Sequence, residues 1–198
     1  MDKLLADDAV VSRIDDSRIG VAGFSAGGYT GLALAGAIIS SNKQQQFCNQ
    51  NKADPVCELI ELKMFHDSAN KDAHNSLKDT RIKAVFAMAP AMGTAVEISR
   101  LNEITIPVFI TASEDDTFLN PDLHAKIYAQ NISGAQLSMI PAGGHFVFSQ
   151  CTLLMHEIQL FDDFAKEYDL CGHNSEVKRE NVWREVANLA VNFFNKSL

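Results

Sequence analysis

The stretch Arg18-Ile-Gly-Val-Ala-Gly-Phe-Ser-Ala-Gly-Gly28 decides how this chain is read. Ile19 to Phe24 is a short apolar run broken by glycine, as expected of a parallel strand covered on both faces. Ala26 to Ile39 is small and apolar nearly all round, which predicts a helix buried against a sheet. Between them Gly23-Phe-Ser25-Ala-Gly27 fits G-x-S-x-G at a strand-to-helix turn. A serine there adopts strained backbone so that its hydroxyl stands clear of the sheet. Gly23 and Gly27 are read as the positions that let neighbouring backbone pass without a Cβ clash. The Ala26 N–H, at a helix N-terminus, is the candidate donor to a developing oxyanion. The plainer alternative is a tight packing turn with a passive serine. A phosphate cradle is the weaker reading, because neither G-x-G-x-x-G nor Gly-Lys-Ser/Thr is present.

The uncharged run from Ile19 to Asn42 could suggest a membrane span by hydropathy alone. Its glycines, clustered around Ser25, fit strand, turn and buried helix better. Upstream, an acidic helix is predicted around Asp2 to Val11. Downstream, residues 41–80 are polar, with one apolar patch from Leu59 to Phe65, and read as a cap-like excursion of loops and short helices. The strand–helix rhythm then returns, with strands at Ile82 to Ala89, Pro107 to Ala112 and Gln136 to Ile140, and a helix at Pro121 to Gln130. Leu154, Ile158, Phe161, Ala165 and Tyr168 mark one amphipathic helix; Val182, Val186, Leu189 and Phe193 mark the last. This alternation predicts an α/β fold with a mostly parallel sheet between helical layers, the whole chain 1–198 being read as one unit.

A serine hydroxyl is a poor nucleophile without a base and an orienting carboxylate. Val108 to Ala112 leads into Ser113-Glu-Asp-Asp116, placing acids where open α/β sheets put their sites. Asp116 is the chosen acid, Asp115 the alternative and Glu114 a distant third; a calcium ligand set or a solvated loop are the other readings of that cluster. Leu137 to Ile140 leads into Pro141-Ala-Gly-Gly-His145, which makes His145 the candidate base. The remaining histidines, His66, His74, His124, His156 and His173, are read as surface or capping residues. Neither His66-Asp67 with His74 nor Cys171-Gly-His173 has convincing metal-ligand spacing, and no cofactor motif is found.

With these motifs in this order, the chain resembles the α/β-hydrolase superfamily. It looks most like predicted dienelactone hydrolases and platelet-activating-factor acetylhydrolase-like esterases, through Arg13-Ile-Asp-Asp-Ser-Arg-Ile-Gly-Val-Ala-Gly-Phe-Ser-Ala-Gly-Gly28, Gly143-Gly-His-Phe-Val-Phe148, Cys151 and Cys171. The resemblance implies Ser25 as nucleophile, Asp116 as acid, His145 as base and Ala26 as an oxyanion donor. True dienelactone hydrolases carry cysteine at the nucleophile; serine here favours ordinary carboxylic esters. The superfamily places four strands before the nucleophile strand, and a βαβ unit takes roughly 30 residues. The 24 residues preceding Ser25 cannot hold them. The expected fold is therefore an N-terminally truncated three-layer α/β-hydrolase fold, with its first strand open to self-association. Two functions follow as expectations: an esterase, or a weak or inactive fragment serving as a binding or assembly module.

Composition narrows the classes. The chain of 198 residues is 46% hydrophobic and 21% charged, which suits a globular protein with a core and excludes a disordered one. Its net charge of −8 argues against nucleic acid and anionic lipid as partners; the resemblance implies a small-molecule ester as substrate. Met1 is followed by acids rather than by the basic and apolar regions of a signal peptide. Four cysteines allow three connectivities, of which Cys48–Cys57 with Cys151–Cys171 is the local choice. Such bridges, and the resemblance, suit a periplasmic or secreted protein; reduced thiols would suit a cytoplasmic one.

Overall fold

The structure is a computed structural model that describes residues 2–61, 76–152, 163–171 and 177–198. Four strands, β1 (Ile19–Phe24), β2 (Ile82–Met88), β3 (Val108–Ser113) and β4 (Gln136–Ile140), form one sheet in chain order, every neighbouring pair parallel. The expected strands are therefore present, with ends shifted by a residue at β2 and β3. β3 is buried along its whole length because helices cover both faces. Val108, Ile110 and Ala112 point into one core layer, while Phe109 points into the other. In β2 the register shifts by one residue after Ile82, leaving Lys83 exposed. From Ala84 to Ala87 the strand then alternates between the two layers.

On one face, α3 (Ala26–Ala35) lies against β1 and β2, and α7 (Ala125–Asn131) lies against β3 and β4. Leu32, Val85, Ile110 and Tyr128 close that layer. On the other face, α9 (Arg179–Ser197) buries Val182, Val186 and Phe193 against Phe86 and Phe109. These are the positions its helical periodicity marked. The result is a three-layer α/β architecture with a parallel sheet in the middle, as expected of an α/β-hydrolase core. The shorter helices are α1 (Asp2–Leu5), α2 (Asp8–Val11), α4 (Ser41–Gln50), α5 (Pro55–Glu61), α6 (Ile98–Leu101) and α8 (Asp163–Glu167).

Three local expectations are corrected. The acidic helix is two short ones, because the Asp7 side chain accepts the Ala9 N–H at 2.9 Å and starts a second helix. The buried helix ends at Ala35 rather than Ile39: Gly36 takes φ 123°, and its N–H closes the last turn on the Leu32 and Ala33 carbonyls. The helix expected from Pro121 begins instead at Ala125, with residues 121–124 forming turns. Parts of the predicted apolar patch (62–65), of the 41–80 excursion (62–75) and of the penultimate helix (153–162) lie outside the described residues. No helix among those described is long and apolar enough to cross a membrane.

Two disulfides, Cys48–Cys57 and Cys151–Cys171, tie α4 to α5 and the segment after β4 to the stretch preceding α9. This is the local connectivity among the three that were open. Phe86 is fully buried and stacks on Phe109 with ring centroids 5.0 Å apart. Phe86→Ala is expected to lower unfolding free energy by about 3–5 kcal/mol, read as a lower urea midpoint at unchanged slope.

Candidate active site

Parallel strands in chain order put the C-terminal ends of β1, β3 and β4 along one edge of the sheet, and each end carries one of the expected site residues. Ser25 follows β1 directly at φ 56° and ψ −119°, a conformation that L side chains rarely adopt. It persists because both backbone groups are tied down. The Ser25 N–H donates to the Met88 carbonyl at 2.8 Å, and the Ser25 carbonyl accepts from the Ala91 N–H at 3.2 Å.

The two elbow glycines are not equivalent. A Cβ on Gly23 would lie 2.2 Å from the Gly27 carbonyl oxygen, which is backbone and cannot yield, whereas a Cβ on Gly27 would meet nothing within 4 Å. The close approach is thus demanded of Gly23 alone, correcting the symmetric reading. Ala26 opens α3, so no preceding turn takes its N–H.

Asp116 stands in the loop after β3 and His145 in the loop after β4. The His145 Nδ1 lies 2.8 Å from Asp116 Oδ2, and its Nε2 lies 2.9 Å from Ser25 Oγ. Both the imidazole and the carboxylate are almost wholly buried. A carboxylate only accepts, so Nδ1 carries the proton, and the free lone pair on Nε2 accepts the Ser25 hydroxyl. The other Asp116 oxygen accepts the Leu119 N–H at 2.6 Å, which fixes the carboxylate in rotation. Phe24, Phe118 and Phe146 surround the imidazole with ring centroids 4.8, 4.8 and 5.0 Å away. These rings exclude water and lower the local dielectric, which strengthens the hydrogen-bonded chain. Such a chain can draw a proton from the serine hydroxyl and hold the imidazolium that results.

The other acids divide. Asp115 turns away from the imidazole and accepts the Gly143 and Gly144 N–H groups at 3.1 and 2.8 Å, with the Ser113 hydroxyl at 2.6 Å. Glu114 contributes its backbone N–H to the Ile140 carbonyl. An acidic hollow of about 560 Å³ opens beside this loop between Glu114, Asp122 and Lys126, but neither Ser25 nor His145 lines it. Among the described residues, no group of three His, Cys, Asp or Glu side chains is arranged to hold a metal. His66, His74, His156 and His173 lie outside the described residues.

His124 is not a surface residue. It is 1% exposed, and its Nδ1 accepts the Gly93 N–H at 3.1 Å. Although it occupies the N-cap position of α7, its side chain makes no cap hydrogen bond to that helix. Together with Tyr128, whose hydroxyl donates to the Ala91 carbonyl at 2.7 Å, it braces the loop beneath Ser25. The sequence reading makes His124 a surface or capping residue and does not single out Tyr128; the available signal is a histidine and a tyrosine four apart at the head of a helix. On the far side of the base loop, the Trp183 indole donates to the Val147 carbonyl at 2.8 Å. Arg179 donates to the Ser149, Asp169 and Leu170 carbonyls.

Neither a protein-family model nor a curated protein matches the chain. Solved structures do. Pyrococcus horikoshii acylaminoacyl peptidase is 12% identical over 91% of this chain and 28% of its own, with a TM-score of 0.43. An acylaminoacyl peptidase in complex with Z-Gly-Gly-Phe-chloromethyl ketone is 13% identical over the same shares, at 0.44. The acetyl ester-xyloside bifunctional hydrolase from Caldicellulosiruptor lactoaceticus is 17% identical over 80% of this chain and 59% of its own, at 0.36. The chain thus spans between about a quarter and three-fifths of the length of these proteins.

Two outcomes follow. Gly27→Ala should fold and gain up to about 1 kcal/mol of helix stability, whereas Gly23→Ala should abolish the native near-ultraviolet dichroism. Burial pushes the His124 imidazole down to about 4, with a smaller contribution from the His145 charge. The folded state then binds fewer protons than the unfolded one. The stability this gives is whole above the unfolded value near 6.5 and is lost as pH falls toward 4. Between pH 7 and 4.5, wild type should lose about 2–3 kcal/mol more than His124→Asn, which retains an acceptor and does not titrate. Urea titrations at both pH values provide the check.

Proposed function

We propose that the chain is a serine hydrolase acting on carboxylic esters, with Ser25 as nucleophile, His145 as general base and Asp116 as the acid that orients it. The observation that carries this reading is the continuous hydrogen-bonded path from Ser25 Oγ through both imidazole nitrogens to Asp116 Oδ2. In the proposed reaction His145 Nε2 takes the hydroxyl proton as Ser25 Oγ attacks the ester carbonyl. The oxyanion faces the Ala26 N–H at the head of α3. His145 then returns the proton to the departing alkoxide, and a water molecule activated by the same imidazole releases the acyl group. Within this class the motifs support a dienelactone-hydrolase-like or acetylhydrolase-like esterase. The two cross-links suit work in an oxidising compartment such as the periplasm or the extracellular space.

A second reading, an assembly module, is supported by one feature: among the described residues β1 pairs with β2 alone, leaving its outer edge without a partner strand. A labelled, monomeric 198-residue chain would dismiss it.

A fluorophosphonate probe should label Ser25 and nothing else, with labelling lost in Ser25→Ala and reduced by ~10⁴ in Asp116→Asn, whose amide favours the wrong imidazole tautomer. Undiminished turnover of p-nitrophenyl acetate by Ser25→Ala would overturn the hydrolase reading.

A further inference from the structure

Asp115 lies beside the proposed acid and does a different job. β3 and β4 end their pairing where the Glu114 N–H donates to the Ile140 carbonyl at 2.8 Å. From Ile140 only Pro141, Ala142, Gly143 and Gly144 separate the sheet from His145. With no further ladder bonds, that tetrapeptide would be free to swing. The Asp115 carboxylate takes both of its terminal amides, Gly144 on Oδ1 and Gly143 on Oδ2, while the Ser113 hydroxyl on Oδ1 holds the carboxylate itself in place. Burial opposes the ionised form of Asp115. The Ser113 hydroxyl and the two glycine amides outweigh it and hold the carboxyl below its ordinary value.

We infer that Asp115 is a positioning residue, a side-chain staple between the acid loop and the base loop that sets where His145 stands between Ser25 and Asp116. The neighbouring acids thereby act on different parts of the same histidine, Asp116 orienting the imidazole ring and Asp115 placing the backbone that carries it. His145 must keep two hydrogen bonds of 2.8 and 2.9 Å at once, and a displacement of about 1 Å is enough to cost on the order of 10² in rate. Only the activity readout below rests on the serine-hydrolase reading; the placement of the imidazole can be measured without it.

The test uses the full 198-residue chain and Asp115→Asn, which keeps the side-chain shape but turns one acceptor into an amide donor facing a glycine N–H. The inactivation rate constant for Ser25 with a fluorophosphonate should fall ~10–100-fold while the probe's affinity changes less than about twofold. The downfield His145 Nδ1–H proton signal should shift or broaden in the same variant. Glu114→Gln, which removes the neighbouring exposed charge and leaves both amides bonded to Asp115, should label within about threefold of wild type, separating a loss of the staple from a mere loss of charge. Wild-type labelling and an unchanged proton signal in Asp115→Asn would overturn the inference. If wild type itself fails to label, the hydrolase reading falls and the proton signal alone decides the positioning role. If Asp115→Asn does not fold, hydrogen exchange of wild type decides it. Gly143 and Gly144 amides slowed at least ~100-fold support the staple, and exchange at the unstructured rate refutes it.

Discussion

Parallel pairing in chain order is the constraint on which everything else depends. Because β1, β2, β3 and β4 run the same way, the chain must cross back over the sheet after each strand, and every strand ends at the same edge. Three residues separated by up to 120 positions then need no long reach to meet. Each has only to follow its strand by a few residues. The apolar alternation of β2 and β3 enforces this by requiring helices on both faces, and α3, α7 and α9 supply them.

A set of polar contacts ties that edge together. The left-handed turn at Ser25 stores strain, and it is clamped by backbone bonds to Met88 and Ala91. Ala91 is held in turn by Tyr128, and Gly93 by His124, so α7 acts as the floor beneath the elbow. The phenyl rings around His145 add a dry shell, in which the hydrogen bonds to Asp116 and Ser25 face little competition from water.

Much of this was legible in the sequence because it rests on local pattern. Strands β1 to β4 show as apolar runs bounded by glycine or proline, and the heptad-like spacing of Val182, Val186, Leu189 and Phe193 marked the buried face of α9. Ser25 and His145 stood out because each follows a strand in a glycine-rich turn. The choice between Asp115 and Asp116 was beyond sequence, since adjacent residues share every local signal and differ only in which way the loop turns them. His124 was misassigned to the surface and Arg179 missed for a related reason. Their partners are backbone groups brought near by tertiary folding, and a backbone carbonyl or amide leaves no mark in composition. The asymmetry of Gly23 and Gly27 was hidden too, because only coordinates reveal which of two glycines another peptide presses against.

The bond from Trp183 to the Val147 carbonyl has a consequence of its own. The chain holds a single tryptophan, and it is anchored to the third residue of the turn that begins at His145. Its indole emission is therefore an intrinsic optical gauge of that turn. Movement of the imidazole-bearing segment changes the solvation of one known fluorophore, so binding events at the sheet edge can be followed without attaching a dye.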